Sequence, residues 1–321
     1  MTRILVVGAG ATGGYFGARL TQASRDVTFL VRPRRAAQLA ATGLRVTTPA
    51  GHVEVHPKVV TASELAGPYD LVLLAVKGDA LEGALEDVAP AIGPHTVIVP
   101  FLNGIDHLVT IDAYYPGALL GAVVMVAAQL DEGGSVAVSV PTSSIEIGEF
   151  SGEETPRLLE VAAALGDAGF GVRLSTHILT AMWHKWVLIA AGTTITCLAG
   201  GTIGDVAAVQ GGKAFADTVL EEIAAISGAA GHPLPDTAYL GLQATLTQEG
   251  LPFAPSTYRD VKQGRPTEVE HVLGSLARTA KLLKIPVPLL NAAIVRLRVH
   301  NQATATQPEA ARRTPATPAA A

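Results

Sequence analysis

The chain has 321 residues, and because a typical domain holds about 150 residues, this length predicts roughly two domains. Hydrophobic residues make up 49% of the sequence and charged residues only 16%, which excludes a disordered chain. The net charge of −5 gives no broad attraction to nucleic acid or to an acidic membrane surface, so the composition favours chemistry on a small molecule.

The first half of the chain alternates short β-branched runs with helical stretches, a pattern typical of an α/β domain. Continuous apolar runs predict strands that are buried on both faces. Such runs occupy residues 4–7, 27–31, 71–76, 97–99 and 123–128, and further strands are expected at 135–140 and 144–148. Two alternating segments, 44–47 and 53–56, predict a hairpin with its turn around Pro49 and Gly51.

The second half has few strand candidates and several long amphipathic segments, so we expect an all-α domain. The predicted helices cover residues 178–198, 211–230, 235–247, 266–283 and 288–299. We place the first domain at residues 1–170 and the helical domain at residues 171–301. Residues 302–321 are rich in Ala, Thr and Pro without apolar periodicity, which predicts a disordered tail.

Several other classes of protein fit this sequence poorly. The longest nearly uncharged apolar runs have about 14 residues, whereas a membrane-spanning helix needs about 20. We expect no secretory leader, because the strand predicted at 4–7 follows the first residues directly. The single cysteine, Cys197, allows no intramolecular disulfide, and the nine histidines lack metal-ligand spacing. We therefore expect a cytoplasmic protein without a metal centre.

A glycine-rich turn directly follows the first predicted strand. Gly8, Gly10 and Gly13 form the pattern G-x-G-x-x-G, and a helix can begin within it. The first glycine permits a tight turn, the second lets the backbone approach a pyrophosphate, and the third lets the helix pack closely on the strand. This context predicts a Rossmann-type dinucleotide-binding domain whose cofactor contacts come from Gly8, Ala9, Gly10, Ala11, Thr12 and Gly13. The alternative is a packing turn without a ligand.

The end of the second predicted strand distinguishes between two nicotinamide cofactors. Sites for NAD have an acidic residue there, about 20 residues after the glycines, which binds the ribose 2′-hydroxyl. This chain has Arg32 instead, followed by Arg34 and Arg35. A guanidinium can bind a 2′-phosphate through two parallel hydrogen bonds, so Arg32 predicts NADPH as the cofactor. The alternative is that the three arginines form a solvated basic run at the start of a helix.

Three further segments occur in the order typical of a known enzyme family. The first is a strand ending in Lys77, with residues 99–104 after it; the second is the helical segment 182–186; and the third is 256–270, which includes Gly-Arg-Pro-Thr-Glu. Together they resemble the ketopantoate reductase family, also called 2-dehydropantoate 2-reductases. The resemblance spans about residues 3–300.

The resemblance implies that NADPH reduces a 2-keto acid in a cleft between the two domains. The product would be a 2-hydroxy acid, either pantoate from ketopantoate or a more apolar analogue. Lys185 matches the catalytic lysine of the family, whose ammonium gives a proton to the carbonyl oxygen as the hydride arrives. The apolar helix around Lys185 would desolvate this ammonium and lower its pKa. Without the resemblance, Lys185 would be interpreted as a surface lysine whose stem packs on the helix.

Four other residues match family positions that contact the substrate or the cofactor. Glu268 matches a glutamate that contacts the hydroxyl end of the substrate, and Ser256 matches a serine that binds its carboxylate. Asn103 matches an asparagine near the nicotinamide and the substrate carbonyl, and Lys77 matches a lysine that contacts the cofactor. The structural alternatives are a first-turn acid for Glu268, a helix cap for Ser256 and a turn for Asn103.

The sequence departs from the family at three positions where members that act on ketopantoate commonly carry asparagine. The residues here are Ile189, Thr193 and Ile203. Because replacing an amide by isoleucine removes hydrogen-bonding groups, we hypothesise a substrate with a bulkier or more apolar side chain than ketopantoate. Ile189 and Thr193 stay candidate substrate contacts. The alternative is that these positions vary among active reductases.

Other functions stay open on the same scaffold. The protein could reduce an imine or oxidise a 2-hydroxy acid, or it could be a catalytically impaired regulator that binds NADPH. The presence of Lys185 and Glu268 argues against the regulator. By analogy, a homodimer through the helical domain is plausible, and we expect a small-molecule substrate with neither a nucleic-acid nor a membrane partner.

Overall fold

The structure is a computed structural model that describes residues 2–131 and 133–306. Contacts divide the chain into two compact units, and the boundary falls between Met182 and Trp183. The boundary expected from the sequence follows residue 170. The difference arises because the first turns of a long helix, at Ile178 and Met182, pack with Val123 of the first unit.

Strands and helices alternate along the first unit. Its strands are β1 (Arg3–Val7), β2 (Asp26–Leu30), β3 (Leu44–Thr48), β4 (Gly51–Val55), β5 (Lys58–Val60), β6 (Leu71–Leu74), β7 (Val97–Pro100), β8 (Gly121–Met125), β9 (Ala128–Leu130), β10 (Val136–Val138), β11 (Ser144–Gly148) and β12 (Gly171–Leu174). Its helices are α1 (Ala11–Gln22), α2 (Pro33–Thr42), α3 (Leu81–Asp87), α4 (Asp106–Tyr114) and α5 (Pro156–Leu165), and α6 (Ile178–Ala199) crosses the boundary. The predicted α/β class of this part of the chain is confirmed.

Five of these strands form a parallel sheet in the order β5-β2-β1-β6-β7. Aliphatic side chains cover both of its faces. Ile4 and Leu5, which are neighbours on β1 and so point to opposite faces, are both fully buried. Continuous apolar runs produce strands of this kind, because helices pack on each side of the sheet. Parallel strands also end at one edge, so the segments that follow β1, β2, β6 and β7 lie along the same edge.

The remaining strands of the first unit form two smaller sheets. The predicted hairpin is present as β3 and β4, within a sheet of order β4-β3-β10-β9. The strand predicted at 123–128 is in fact two strands in different sheets. β8 ends at Met125 and pairs with β11, whereas β9 begins at Ala128 and pairs with β10. An apolar run alone does not reveal where the chain passes from one sheet to the next.

The second unit is helical, as predicted. It contains most of α6 and the helices α7 (Ile203–Ala208), α8 (Gly212–Ala229), α9 (Asp236–Leu246), α10 (Ser256–Lys262), α11 (Ser275–Leu283) and α12 (Pro288–Thr306). A π-helical turn, Glu270–Gly274, leads directly into α11. Residues 266–268 are not helical, so the helix predicted at 266–283 starts later than expected.

The last helix is longer than the sequence predicted. α12 extends to Thr306, although the helix was expected to end at 299 and the disordered tail to begin at 302. Thr304 is only 3% exposed, and its hydroxyl donates to the carbonyl oxygen of Asn301 at 2.9 Å. The burial of Thr304 shows that this part of α12 packs against other residues, although the segment has no apolar pattern. The rest of the predicted tail, 307–321, lies outside the described residues.

The sequence predicts neither a membrane-spanning helix nor a metal centre. Within residues 2–131 and 133–306, no helix is long and apolar enough to cross a membrane. Across the same residues, no group of three or more His, Cys, Asp or Glu side chains could hold a metal ion. Cys197 is buried, and burial raises the pKa of its thiol to about 11.

Candidate active site

The glycine-rich turn between β1 and α1 requires glycine at two of its positions. Gly8 has a φ of 97°, which favours glycine, and a Cβ there would lie 2.8 Å from the carbonyl oxygen of Ala75. A Cβ at Gly13 would lie 2.1 Å from the carbonyl oxygen of Gly8. A larger residue at either position would push backbone segments apart. These two glycines therefore let α1 approach the sheet closely.

Gly10 differs from the other two glycines of the motif, because a Cβ there would meet no atom within 4 Å. It directly precedes α1, and no side chain caps that helix. The first N–H groups of a helix lack intrahelical partners, and their partial positive charge attracts anions. The turn formed with Ala9, Ala11 and Thr12 therefore fits a dinucleotide pyrophosphate. Protein atoms occupy the space beside Gly8 and Gly13, whereas Gly10 faces open space.

The other cofactor candidates of the first unit follow strands of the same parallel sheet. Arg32 lies after β2, Lys77 after β6 and Asn103 after β7, while the glycine-rich turn follows β1. The strand order places Arg32 on one side of the turn, with Lys77 and Asn103 on the other. Since neighbouring strands are about 4.8 Å apart, the step from β2 to β7 covers about 14 Å. The carboxyl edge of such a sheet is where ligands generally bind.

The exposure of these three side chains leaves them accessible along that edge. Arg32 is exposed at the start of α2, and its guanidinium makes no hydrogen bond or ion pair within the described part of the chain. Lys77 is also exposed. Asn103 is half-buried and precedes Gly104, whose φ of 78° lets the chain turn after β7.

Arg35 contacts the glycine-rich turn, although the sequence suggested only that it belongs to a basic run. Its Nε donates to the carbonyl oxygen of Ala9 at 3.1 Å, and its Nη1 donates to Gln38 at 2.7 Å. Desolvation lowers the pKa of its guanidinium. Arg35 is therefore not a solvated arginine. Local pattern could not reveal this contact, because Ala9 lies 26 positions earlier in the chain.

Lys185 lies on α6 in the second unit. Its side chain is half-buried, and the neighbouring Trp186 and Val187 are each only 1% exposed. Desolvation lowers the pKa of the Lys185 ammonium from 10.5 to about 8. Among the described residues, none forms a hydrogen bond or an ion pair with this ammonium. A desolvated lysine whose pKa is lowered toward neutral pH is a candidate for proton transfer.

The segment before α10 lies against the face of α6 that carries Lys185. Ile189 and Gly192 follow Lys185 by about one and two helical turns, so the three residues share a face. A Cβ at Gly192 would lie 3.2 Å from the ring of Pro255. Glycine thus allows the segment to lie directly on the helix. Ser256 is the next residue, and the contact holds it near the face that carries Lys185.

Three other predicted positions of the second unit have distinct surroundings. Ser256 is exposed and is the first residue of α10, where Pro255 occupies the cap position, so its hydroxyl does not cap the helix. Thr193 is fully buried, and its hydroxyl has no hydrogen-bond partner in the part of the chain that the structure describes. Ile203 is also fully buried, and its N–H donates to the carbonyl oxygen of Phe253 at 3.0 Å. The side chain of Ile203 therefore packs in the core, and its backbone N–H binds the segment before α10.

Glu268 is half-buried and lies directly before the helical residue Val269, so it is not an acid of the first helical turn. Its carbonyl oxygen accepts hydrogen bonds from the N–H groups of His271 at 3.2 Å and Val272 at 3.1 Å. The carbonyl oxygen of Val272 accepts a bond from the indole N–H of Trp186 at 2.7 Å. This buried bond, which the sequence did not suggest, joins the Glu268 segment to α6.

The predicted site residues fall into two groups. Residues 8–13, Arg32, Lys77 and Asn103 belong to the first unit, and Lys185, Ile189, Thr193, Ser256 and Glu268 belong to the second. Within the second unit, backbone and neighbouring residues connect α6 with the segments of Ser256 and Glu268. The Lys185 ammonium and the Glu268 carboxylate form no ion pair, so any joint action of the two on a substrate stays a prediction.

A Rossmann-type sheet with this glycine-rich turn, joined to a helical second unit, defines a class of dinucleotide-binding oxidoreductases. Residues 4–152 match the family described as ketopantoate reductase PanE/ApbA, and residues 177–301 match its C-terminal part. The two matches cover most of the chain. The chain therefore belongs to the ketopantoate reductase family, as the sequence resemblance predicted.

The chain is also similar to individual proteins. The "uncharacterized oxidoreductase YkpB" of Bacillus subtilis (strain 168) is 34% identical over 299 residues, which cover 93% of this chain and 98% of the relative. The crystal structure of a PanE/ApbA family ketopantoate reductase from Ralstonia eutropha JMP134 is 26% identical, with a TM-score of 0.84 over 94% of this chain and 99% of that one. A D-mandelate dehydrogenase solved with NADH and anilino(oxo)acetate has a TM-score of 0.85 at 21% identity, over 95% and 100% of the two chains, and shows the same fold.

Proposed function

We propose that this protein is an NADPH-dependent reductase that converts a 2-keto acid to a 2-hydroxy acid, with Lys185 as the general acid. The observation that supports this most directly is the half-buried ammonium of Lys185, which has no partner among the described residues and whose pKa desolvation lowers to about 8. A lysine of this kind donates a proton more readily than a solvated lysine, yet it stays largely protonated at neutral pH.

The reaction needs one hydride and one proton. When bound, a reduced nicotinamide supplies the hydride to the carbonyl carbon of the substrate. The Lys185 ammonium donates its proton to the carbonyl oxygen, which neutralises negative charge as it develops. In this proposal Ser256 binds the substrate carboxylate, Glu268 contacts the oxygen that becomes the hydroxyl, and Asn103 orients the carbonyl beside the nicotinamide.

The proposed cofactor is NADPH rather than NADH. β2 ends at Leu30 without an acidic residue after it, and the first charged side chain beyond it is the exposed Arg32. A 2′-phosphate would satisfy this guanidinium through charge-assisted hydrogen bonds, whereas a 2′-hydroxyl would leave it with a weaker neutral partner. Lys77, on the far side of the glycine-rich turn, is proposed to contact the nicotinamide half of the same cofactor.

The proposed substrate is more apolar than ketopantoate. Ile189 shares its face of α6 with Lys185, so an aliphatic side chain stands one turn from the proton donor. Thr193 is fully buried at a position where ketopantoate-reducing members of the family commonly carry an amide, so it adds no hydrogen-bonding group to this face. A surface with few hydrogen-bonding groups discriminates against a polar substrate, because the polar groups of that substrate would lose water without gaining partners.

A panel of 2-keto acids assayed by NADPH oxidation tests this proposal. We expect branched-chain and aryl 2-keto acids to be reduced with a kcat/KM at least equal to that of ketopantoate. The Lys185→Ala variant should lose at least about a hundredfold in kcat, which is the usual contribution of general acid catalysis, and should still bind NADPH. The exposed Lys281 provides a matched lysine-to-alanine control.

The panel also separates the competing functions. A strong preference for ketopantoate would remove the apolar-substrate hypothesis and keep the reductase. Turnover of cyclic imines in place of 2-keto acids would identify an imine reductase. Tight NADPH binding without turnover of any carbonyl compound, unchanged in Lys185→Ala, would identify a cofactor-binding regulator and contradict the proposal.

A further inference from the structure

Asn301, near the end of α12, bonds to the residue that precedes Glu268. The Oδ1 atom of Asn301 accepts from the backbone N–H of Thr267 at 2.8 Å and from the Thr267 hydroxyl at 2.9 Å. Its Nδ2 atom donates to the carbonyl oxygen of Thr267 at 3.0 Å. One amide side chain thus holds both backbone polar groups of Thr267, a residue that is only 9% exposed.

These bonds fix the backbone on the N-terminal side of Glu268. On the other side, the carbonyl oxygen of Glu268 accepts from the N–H groups of His271 at 3.2 Å and Val272 at 3.1 Å. The two planar peptide groups that flank the Cα atom of Glu268 are therefore both held. These bonds therefore limit any movement of the Glu268 carboxylate that would come from its backbone.

Other side chains of α12 contact the same segment, but their contacts are exposed. Arg298 pairs with Glu270 through two bonds of 2.7 and 2.9 Å, and Nε2 of His300 contacts the carbonyl oxygen of Arg265 at 2.9 Å. Exposed ion pairs contribute little to stability, because water and salt compete for the charges. Asn301 is half-buried, so its bonds hold the segment more firmly than these contacts do.

We propose that Asn301 is a positioning residue for Glu268. The inference rests on the proposed function, in which the Glu268 carboxylate contacts the substrate. Displacing a contacting group by about 1 Å can cost on the order of a hundredfold in rate. A residue that fixes the backbone beside Glu268 therefore controls turnover without touching the substrate.

A double-mutant cycle tests whether Asn301 acts through Glu268. Wild-type protein, Asn301→Ala, Glu268→Gln and the combined variant are compared for kcat, KM and NADPH affinity. We expect Asn301→Ala to lower kcat about ten- to a hundredfold with unchanged NADPH affinity. In the Glu268→Gln background, Asn301→Ala should have little further effect on kcat, because both substitutions impair the same contact between residue 268 and the substrate. Gln302→Ala, which removes an exposed neighbouring amide, should leave kcat unchanged.

A second variant keeps the test decisive if Asn301→Ala does not fold. Asn301→Asp retains an acceptor for the N–H and hydroxyl of Thr267, but it loses the donor to the Thr267 carbonyl oxygen. Its kcat should lie between those of wild type and Asn301→Ala, and it should show the same dependence on Glu268.

The outcomes separate this inference from the proposed function. An additive loss in the combined variant, or wild-type kcat in a folded Asn301→Ala or Asn301→Asp protein, would overturn the inference and leave the reductase in place. If Glu268→Gln alone keeps wild-type kcat, Glu268 has no role in turnover, and the inference fails together with that part of the proposed function.

Discussion

Desolvation of the Lys185 ammonium lowers the free energy of unfolding of the protein. The proposed role of Lys185 as a general acid explains why the chain carries a lysine there. Its pKa is lowered from 10.5 to about 8 in the folded protein, so folding disfavours the charged form. Below a pH of about 8 the lysine is charged in both states, and the cost is present in full. Between about 8 and 10.5 the folded state loses the proton first, so the free energy of unfolding rises with pH.

Replacing Lys185 by methionine should therefore stabilise the protein while abolishing turnover. We expect a gain of about 1–3 kcal/mol in the free energy of unfolding near pH 7, below the full value of the shift because the side chain is half-buried. The gain should shrink as the pH approaches 10. Urea unfolding at both pH values measures it, with Lys281→Met as the control. A wild-type protein that is more stable than Lys185→Met at neutral pH would contradict the desolvation of Lys185.

Arg32 is the residue on which the choice of cofactor depends. Arg32→Asp removes the proposed partner of the 2′-phosphate and places a negative charge beside it. Because a hydrogen bond to a charged group contributes about 1.5–3 kcal/mol, the ratio of kcat/KM for NADPH to that for NADH should fall about a hundredfold. Arg34→Asp makes the same charge change at an exposed position two residues further and should leave the ratio nearly unchanged. Equal ratios in wild type and Arg32→Asp would assign the 2′-phosphate to another residue.

At the scale of elements, two glycines at the junction of β1 with α1 have different roles. Gly13 allows close packing, and Gly10 is proposed to allow cofactor binding. Gly13→Ala places a Cβ 2.1 Å from a backbone oxygen, so it should destabilise the first unit by about 1–3 kcal/mol. Gly10→Ala meets open space at a φ of −78°, so its stability should stay within about 0.5 kcal/mol of wild type. Its NADPH affinity should nevertheless fall, since the methyl group occupies the approach of the pyrophosphate. Thermal unfolding and NADPH titration measure both effects, and wild-type affinity in Gly10→Ala would place the cofactor elsewhere.

The elements themselves were largely predictable, because they follow from short-range patterns. Buried apolar runs predicted four of the five strands of the parallel sheet but not β5, and the glycine spacing predicted the turn after β1. The errors occurred where long-range contacts decide the conformation. α12 continues past its apolar pattern to Thr306, and the strand expected at 123–128 divides between two sheets.

The contacts that support the site were not predictable for the same reason. The Trp186 indole reaches Val272 across 86 positions, and the Asn301 amide reaches Thr267 across 34. Neither a tryptophan in an apolar helix nor an asparagine near the end of another helix suggests its partner from local sequence. The family resemblance identified the residues that carry chemistry, and the scarcity of charge made them easier to single out, whereas the groups that hold them are visible only in the fold.

For the molecule as a whole, family membership is established and the sequence resemblance that predicted it is confirmed. Two units divide the tasks of the proposed enzyme. The first presents the glycine-rich turn, Arg32, Lys77 and Asn103 along one edge of a sheet, and the second presents Lys185 on a helix tied to the Glu268 segment. The central claim is that this lysine donates the proton in a reduction driven by NADPH.

The pH dependence of kcat/KM for 2-keto acid reduction tests that claim most directly, because at saturating NADPH it reports the ionisation of groups in the enzyme–NADPH complex before the keto acid binds. Measured at saturating NADPH between about pH 6 and pH 10, kcat/KM should be constant below the Lys185 pKa of about 8 and should fall about tenfold per pH unit above it. A kcat/KM that is flat through this range, or that rises as Lys185 loses its proton, would contradict the claim that Lys185 is the general acid.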